Sequence, residues 1–156
     1  MSERFFENPE DLIRRIYAYV SYRIGDGPEA EDVTSATVER ALRYRASFDP
    51  SKGEPIAWLL GIASRCLREA YGQREDVTAI EDDDLATPDH AELSLDRVAI
   101  HEAVAKLSGR DRELIALRYG ADLSAREIAR LTGTKTNAVE VALHRAVKRL
   151  RHTLEA

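Results

Sequence analysis

Asn137, Glu140, His144, Arg145, Lys148 and Arg149 share one face of a helical pattern near the end of the chain, with Thr136 just ahead of them. Amide and carboxylate groups can exchange hydrogen bonds with base edges, whereas guanidinium and ammonium groups neutralise phosphates. A polar first half followed by a basic second half therefore suits a helix laid in a major groove, reading bases and contacting backbone. The competing reading is a helical hairpin in a protein interface, its charged face solvated.

The elements that must position these residues are legible around them. Val139, Leu143, Ala146 or Val147, Leu150 and Leu154 recur at helical spacing on the opposite face. Upstream, Ser124 and Glu127 form the Ser-x-x-Glu pattern of a capping box, which predicts a helix from Ala125 to about Thr132. Ala129, Gly133 and Val139 then fall where two steeply crossing helices need a small contact, a residue of positive φ and a core anchor. That is helix-turn-helix spacing.

The 156-residue chain is 44% apolar and 33% charged, a globular composition with room for one ordinary domain or two small ones. No apolar run approaches the roughly 18 residues of a membrane span, and "MSERFFENPEDL" is acidic where a secretory leader is basic. A cytoplasmic protein is expected, with no membrane insertion. The single cysteine, Cys66, excludes an internal disulfide and sits among apolar neighbours, as a small buried side chain would.

Charge is divided unevenly. Residues 1–74 carry 11 Lys and Arg against 12 Asp and Glu, net −1; residues 75–96 carry nine acids and no base, net −9; residues 97–156 carry 12 bases and seven acids, net +5. The acidic middle, which contains Pro88, reads as an extended linker between two periodic halves. Tethered beside a basic domain, it can also compete with phosphate for Arg145, Lys148 and Arg149.

The first half is helical as well. Asn8 and Pro9 open a helix carrying Leu12, Ile13, Ile16, Val20 and Ile24 on one face, and Gly25 closes it. Pro28 opens a second helix that turns Val33, Thr37, Val38 and Ala41 inward. After the loop "FDPSKGEP" a third runs from Pro55 or Ile56 to about Gln73, with Trp58, Leu59, Ile62, Ala63, Cys66, Leu67 and Ala70 inward. The expected fold is all-α: a three- or four-helix N-terminal bundle over 1–74, the linker over 75–96, and a helix-turn-helix domain over 97–156.

"GPEAEDVTSATVERAL", "FDPSKGEPIAWLLGIASRCLREAYGQR", an acidic linker and "AVAKLSGRDRELIALRYGADLSAREIARLTG", in that order, resemble the bacterial extracytoplasmic-function sigma factors of the sigma-70 family. The resemblance spans nearly the whole chain and rests on the order and spacing of region 2, linker and region 4. It implies a non-enzymatic subunit that binds the clamp helices and flap of core RNA polymerase and directs promoter-specific initiation at stress or envelope-response genes. By the same resemblance Glu31, Asp32, Val38, Glu39, Arg40 and Leu42 meet polymerase, the C-terminal helix-turn-helix reads the −35 element, and an anti-sigma factor is a further partner.

Melting the −10 element without fuel requires holding an unstacked base beside positive charge. Asp49, Ser51, Lys52, Gly53 and Glu54 form the loop expected to do so, flanked by Trp58, Arg65 and Arg68. Phe48 and Trp58 also suit the core. Many members of the family carry Arg-Asn where this chain has Ser64-Arg65, and basic residues where it has Glu140 and Ala142; glutamate repels phosphate but accepts from cytosine N4. No catalytic residue, cofactor or metal is expected: "HEAVA" lacks the second histidine of a zinc-protease helix, and no Gly-rich phosphate loop occurs. Two other readings remain from the residues alone, a helix-turn-helix regulator acting without polymerase and a protein-interaction adaptor.

Overall fold

The structure, a computed structural model, describes residues 7–72 and 97–155, so the acidic segment 75–96 lies outside the described residues. Among them are seven α-helices and no strand: α1 Pro9–Ile24, α2 Pro28–Arg43, α3 Pro55–Tyr71, α4 Arg97–Ala105, α5 Gly109–Ile115, α6 Ala125–Thr132 and α7 Thr136–Glu155. None is long and apolar enough to cross a membrane.

Helix boundaries follow local chemistry. The Asn8 side chain accepts from the Asp11 N–H, Pro9 takes the first turn of α1, and the Gly25 N–H closes the helix on the Ser21 carbonyl at 2.7 Å. Pro28 and Pro55 start α2 and α3 in the same way, where a missing N–H costs nothing. Helix α5 passes into a π turn over Ala116–Gly120, a wider turn that redirects the backbone before α6.

The N-terminal helices bury Ile16, Val20, Val33, Ala41, Leu59 and Leu67, largely as their periodicity requires. Several positions differ from the pattern. Ile13 is 41% exposed and Ala70 is exposed, while Leu60 is buried together with Tyr19. A second layer covers Leu60 and Tyr19. Leu114, Leu117, Leu123, Ile128, Val139 and Leu143 of the C-terminal helices belong to the same apolar cluster as Tyr19, Leu60 and Leu67. A separate cluster of Ile100, Val104, Ile115, Val147 and Leu150 holds α4, α5 and α7 together. Two helical units thus share a core along one seam, and residues that would be solvated on an isolated N-terminal bundle are covered by the C-terminal unit. Cys66 is buried, as its neighbours suggested.

Candidate nucleic-acid interface

Helix α7, which carries the residues expected to face DNA, is set by its neighbour α6. Ser124 Oγ accepts the Glu127 N–H at 3.1 Å and the Glu127 carboxylate accepts the Ser124 N–H at 2.9 Å, completing the capping box. At the other end Gly133 adopts φ +70°, a left-handed conformation that would strain any side chain, and α6 stops there. Ala129 and Val139 are buried on either side of the turn.

Packing leaves α7 only a strip for ligands. Asn137 and Lys148 are exposed; Thr136, Glu140, His144 and Arg145 are half-buried. Ala138, Val141 and Ala142 are buried in addition to the apolar face read from periodicity. Ala142 therefore lies in the core shared with α6, and its departure from the family pattern leaves the exposed strip untouched. Arg149 has an intramolecular partner: its guanidinium donates to both carboxylate oxygens of Asp111, at 2.9 and 3.0 Å. Asp111 is 4% exposed, so this pair ties α7 to α5 and satisfies a carboxylate that would otherwise be buried alone.

In the N-terminal unit the loop between α2 and α3 is structured by its own side chains. Asp49 Oδ1 accepts from the Ser51 N–H at 3.0 Å and from the Ser51 hydroxyl at 2.6 Å, capping a single 3-10 turn over Pro50–Lys52. Those two bonds hold the Asp49 carboxyl below its usual range. Lys52 and Glu54 are exposed beside Gly53. Trp58 is half-buried against Phe48, ring centroids 5.5 Å apart, and both rings pack on the apolar cluster. Arg65 points to solvent; Arg68 is half-buried, donates to Ser64 Oγ at 3.1 Å and lines the cleft between the units.

On α2, Glu31, Asp32 and Glu39 are exposed, and Arg40 is held by Glu69 of α3 through bonds of 2.7 and 3.2 Å. Val38 and Leu42 line an almost wholly apolar groove with Leu12, Ile13 and Leu59. Leu42 and Ile13 remain about two-fifths exposed there, at 42% and 41%.

Periodicity gave no hint of the polar contacts across the seam. Tyr19 is fully buried, and its hydroxyl donates to the Glu113 carboxylate at 2.8 Å. Arg23 forms an ion pair with the same carboxylate. Burial, and then the adjacent Glu113 charge, push the Tyr19 hydroxyl well above its ordinary pKa. Arg15 Nε donates to the Ala121 carbonyl at 2.7 Å, Arg97 forks onto Asp26 at 3.1 Å, and His101 bonds Ser21 at 3.2 Å while stacking on Tyr22. Among the described residues no group of three or more His, Cys, Asp or Glu could hold a metal ion.

The described residues form a helix-turn-helix joined to a three-helix bundle, and comparison with known proteins gives the class. Residues 10–76 match Sigma-70 region 2 and residues 97–150 match Sigma-70, region 4. The chain is 30% identical over 149 residues to the ECF RNA polymerase sigma factor SigL of Mycobacterium tuberculosis, covering 90% of this chain and 82% of that protein. It is 33% identical over 151 residues to the ECF RNA polymerase sigma factor BldN of Streptomyces coelicolor, covering 89% of this chain and 56% of BldN. The sigma factor RpoE of Bartonella quintana, solved in complex with the anti-sigma factor NepR, has the same fold: TM-score 0.68 at 22% identity, covering 100% of this chain and 99% of that one. The chain belongs to the ECF sigma factors of the sigma-70 family.

Proposed function

We propose that this sigma factor divides its work at the boundaries 1–74, 75–96 and 97–156. The first segment docks on polymerase and melts the −10 element, the second tethers, and the third reads the −35 element. One observation carries the docking half of this reading: the apolar groove between α1 and α2 leaves Ile13 and Leu42 about two-fifths open to water, Leu42 on the same helix α2 that carries Glu31, Asp32, Glu39 and Arg40. An exposed apolar seat fits the apolar side of a helix, and the polymerase clamp helices are the occupant that the family resemblance supplies. Glu39 pairs with Arg43 one turn further along α2, at 2.6 Å.

Thr136, Asn137, Glu140 and His144 are assigned to base edges of the −35 element, and Arg145 and Lys148 to phosphate. Arg149 reaches phosphate only by sharing its guanidinium with Asp111. Asp49, Ser51, Lys52, Gly53 and Glu54 are assigned to the flipped −10 base, with Arg65 and Arg68 on its backbone and Trp58 as the wall behind the loop. No chemical step falls to the protein itself. An anti-sigma factor is proposed as its inhibitor, acting in the cytoplasm.

Run-off transcription reconstituted with core polymerase on a genomic library tests the whole reading, and returns both promoter elements. The melting half has its own test. Neutralising Asp49, Lys52 and Glu54 should preserve polymerase association and abolish the permanganate-reactive bubble, because unstacking costs a few kcal/mol that only contacts to the captured base offset. A normal footprint from that variant would move the pocket elsewhere.

A further inference from the structure

A cleft of 360 Å³ lies between α3 and the C-terminal helices, and its lining divides into a charged end and an apolar one. At the charged end Arg68 donates to Ser64 Oγ at 3.1 Å and, among the described residues, has no carboxylate partner, since its neighbour Glu69 is held by Arg40. Arg23 lines the same end. It pairs with Glu113, but its Nε is buried with no hydrogen-bond partner, a donor that costs stability until an acceptor reaches it. Two arginines, Arg23 and Arg68, against one glutamate, Glu113, give the lining a net charge of +1. Such an end suits an anion.

The apolar end is Leu60, Leu117 and Leu131, of which Leu131 is 37% exposed. Gly61 stands beside them inside α3, where glycine costs about 1 kcal/mol relative to alanine. Neither a positive φ nor a close packing partner requires it: Gly61 is absent from the positive-φ positions, and a Cβ there would meet nothing within 4 Å. Its missing side chain leaves bare backbone on the cleft wall, where a flat ring can approach. Small-molecule sites of about 300–1,000 Å³ pair an apolar wall with a few placed polar groups in this way.

We propose that the cleft binds a nucleoside monophosphate, with its phosphate on Arg68, Ser64 and Arg23 and its base against Leu131 and the open backbone of Gly61. A guanidinium presents a fork of donors matched to phosphate oxygens, and the Ser64 hydroxyl, which accepts from Arg68, keeps its own hydrogen to give. A diphosphate or triphosphate brings more negative charge than this lining balances. The site is distinct from the α1–α2 groove and from the exposed strip of α7, and it shares only Arg68 with the −10 assignment above. Bound nucleotide and DNA strand therefore compete for that one guanidinium.

Isothermal titration calorimetry of the full chain at low salt tests this, with AMP and GMP as probes and neither polymerase nor DNA present. At least one of the two should bind one to one with a Kd below about 1 mM. Inorganic phosphate and the matching nucleoside should each bind about tenfold or more weakly, because each fills one end only. Arg68→Ala removes the unpaired guanidinium and Gly61→Leu fills the apolar end; each should weaken binding by about tenfold or more, far-UV circular dichroism remaining helical. Arg126→Ala removes the same charge from an exposed residue of α6 outside the cleft and should leave binding unchanged. The proposal is overturned if neither nucleotide binds at millimolar concentration, if inorganic phosphate binds as tightly as the nucleotide, if Arg126→Ala costs as much as Arg68→Ala, or if both cleft variants keep full affinity. A strand of five thymidine nucleotides that binds more tightly than both probes, and loses that affinity in the two cleft variants, would give the cleft to single-stranded DNA and overturn it as well.

Discussion

Replacing Gly120 with alanine sets two effects of known size against each other. In a helical turn alanine is favoured over glycine by about 1 kcal/mol, and Gly120 has no positive φ that would forbid a side chain. Against this, the new Cβ would sit 2.9 Å from three backbone atoms of Ala18 and Tyr19, whereas carbon atoms rest at about 3.5–4.0 Å. Backbone in the middle of α1 cannot swing aside as a side-chain tip would. Inserting a methyl into such a site costs about 1–3 kcal/mol, and three fixed neighbours put this case at the upper end. A net loss of about 2 kcal/mol is expected, which lowers Tm by about 4–8 °C in a chain of this size. Gly61→Ala is the matched control. Gly61 lies inside α3, is exposed and has nothing within 4 Å of its Cβ position, so it should gain up to about 1 kcal/mol and raise Tm by about 2–4 °C. Thermal unfolding followed at 222 nm reads both. A Gly120→Ala protein that melts at or above wild type would refute the close approach of α1 to the π turn.

Three further outcomes are expected. Glu140→Gln should relax −35 base preference at one position by about 1–3 kcal/mol with little change in affinity for unrelated DNA, and an unchanged profile from a randomised-site binding assay would remove Glu140 from the reading set. Lys148→Ala should lower the salt slope of DNA binding by about one unit without affecting Tm, whereas Arg149→Ala should destabilise the fold by about 1–3 kcal/mol because Asp111 is left buried and unpaired; equal effects of the two on Tm would contradict the Arg149–Asp111 assignment. Finally, the neutral Tyr19 hydroxyl is favoured in the folded protein, so its contribution is full below the unfolded value of about 10 and is lost as pH rises through the higher folded value. Between about pH 9 and pH 11 the Tm of Tyr19→Phe should fall less steeply than that of wild type, and identical alkaline profiles would show that Tyr19 is not the titrating group.

Local signals located the elements, and long-range partners decided what many side chains do. The limits of α6 were readable because Ser124, Glu127 and Gly133 satisfy backbone groups within three or four residues of themselves. Asn8, Pro9 and Gly25 bounded α1 for the same reason. Arg149, in contrast, looks like any basic residue on a polar face; its partner Asp111 is 38 positions away. Tyr19 and Glu113 are 94 positions apart, and nothing in either helix's periodicity sets them in register. Gly120 resembles an ordinary turn glycine in "YGADL", yet its role is contact with another helix rather than an unusual φ. Ala142 stood out in the sequence only as a departure from the family's basic residues, and a single apolar stripe on α7 did not include it, whereas Val141 and Ala142 are buried as well.

The shared apolar seam brings temperature into the behaviour of this protein. Leu60 on one unit and Leu117, Ala121 and Leu123 on the other are almost dry, so parting the units wets hydrocarbon and raises the heat capacity. Attraction of that kind weakens on cooling, while the Glu113 ion pair depends on temperature through the hydration of its charges. The strength of the seam is therefore a curved function of temperature rather than a fixed constant, and it is weaker in the cold than in the warm.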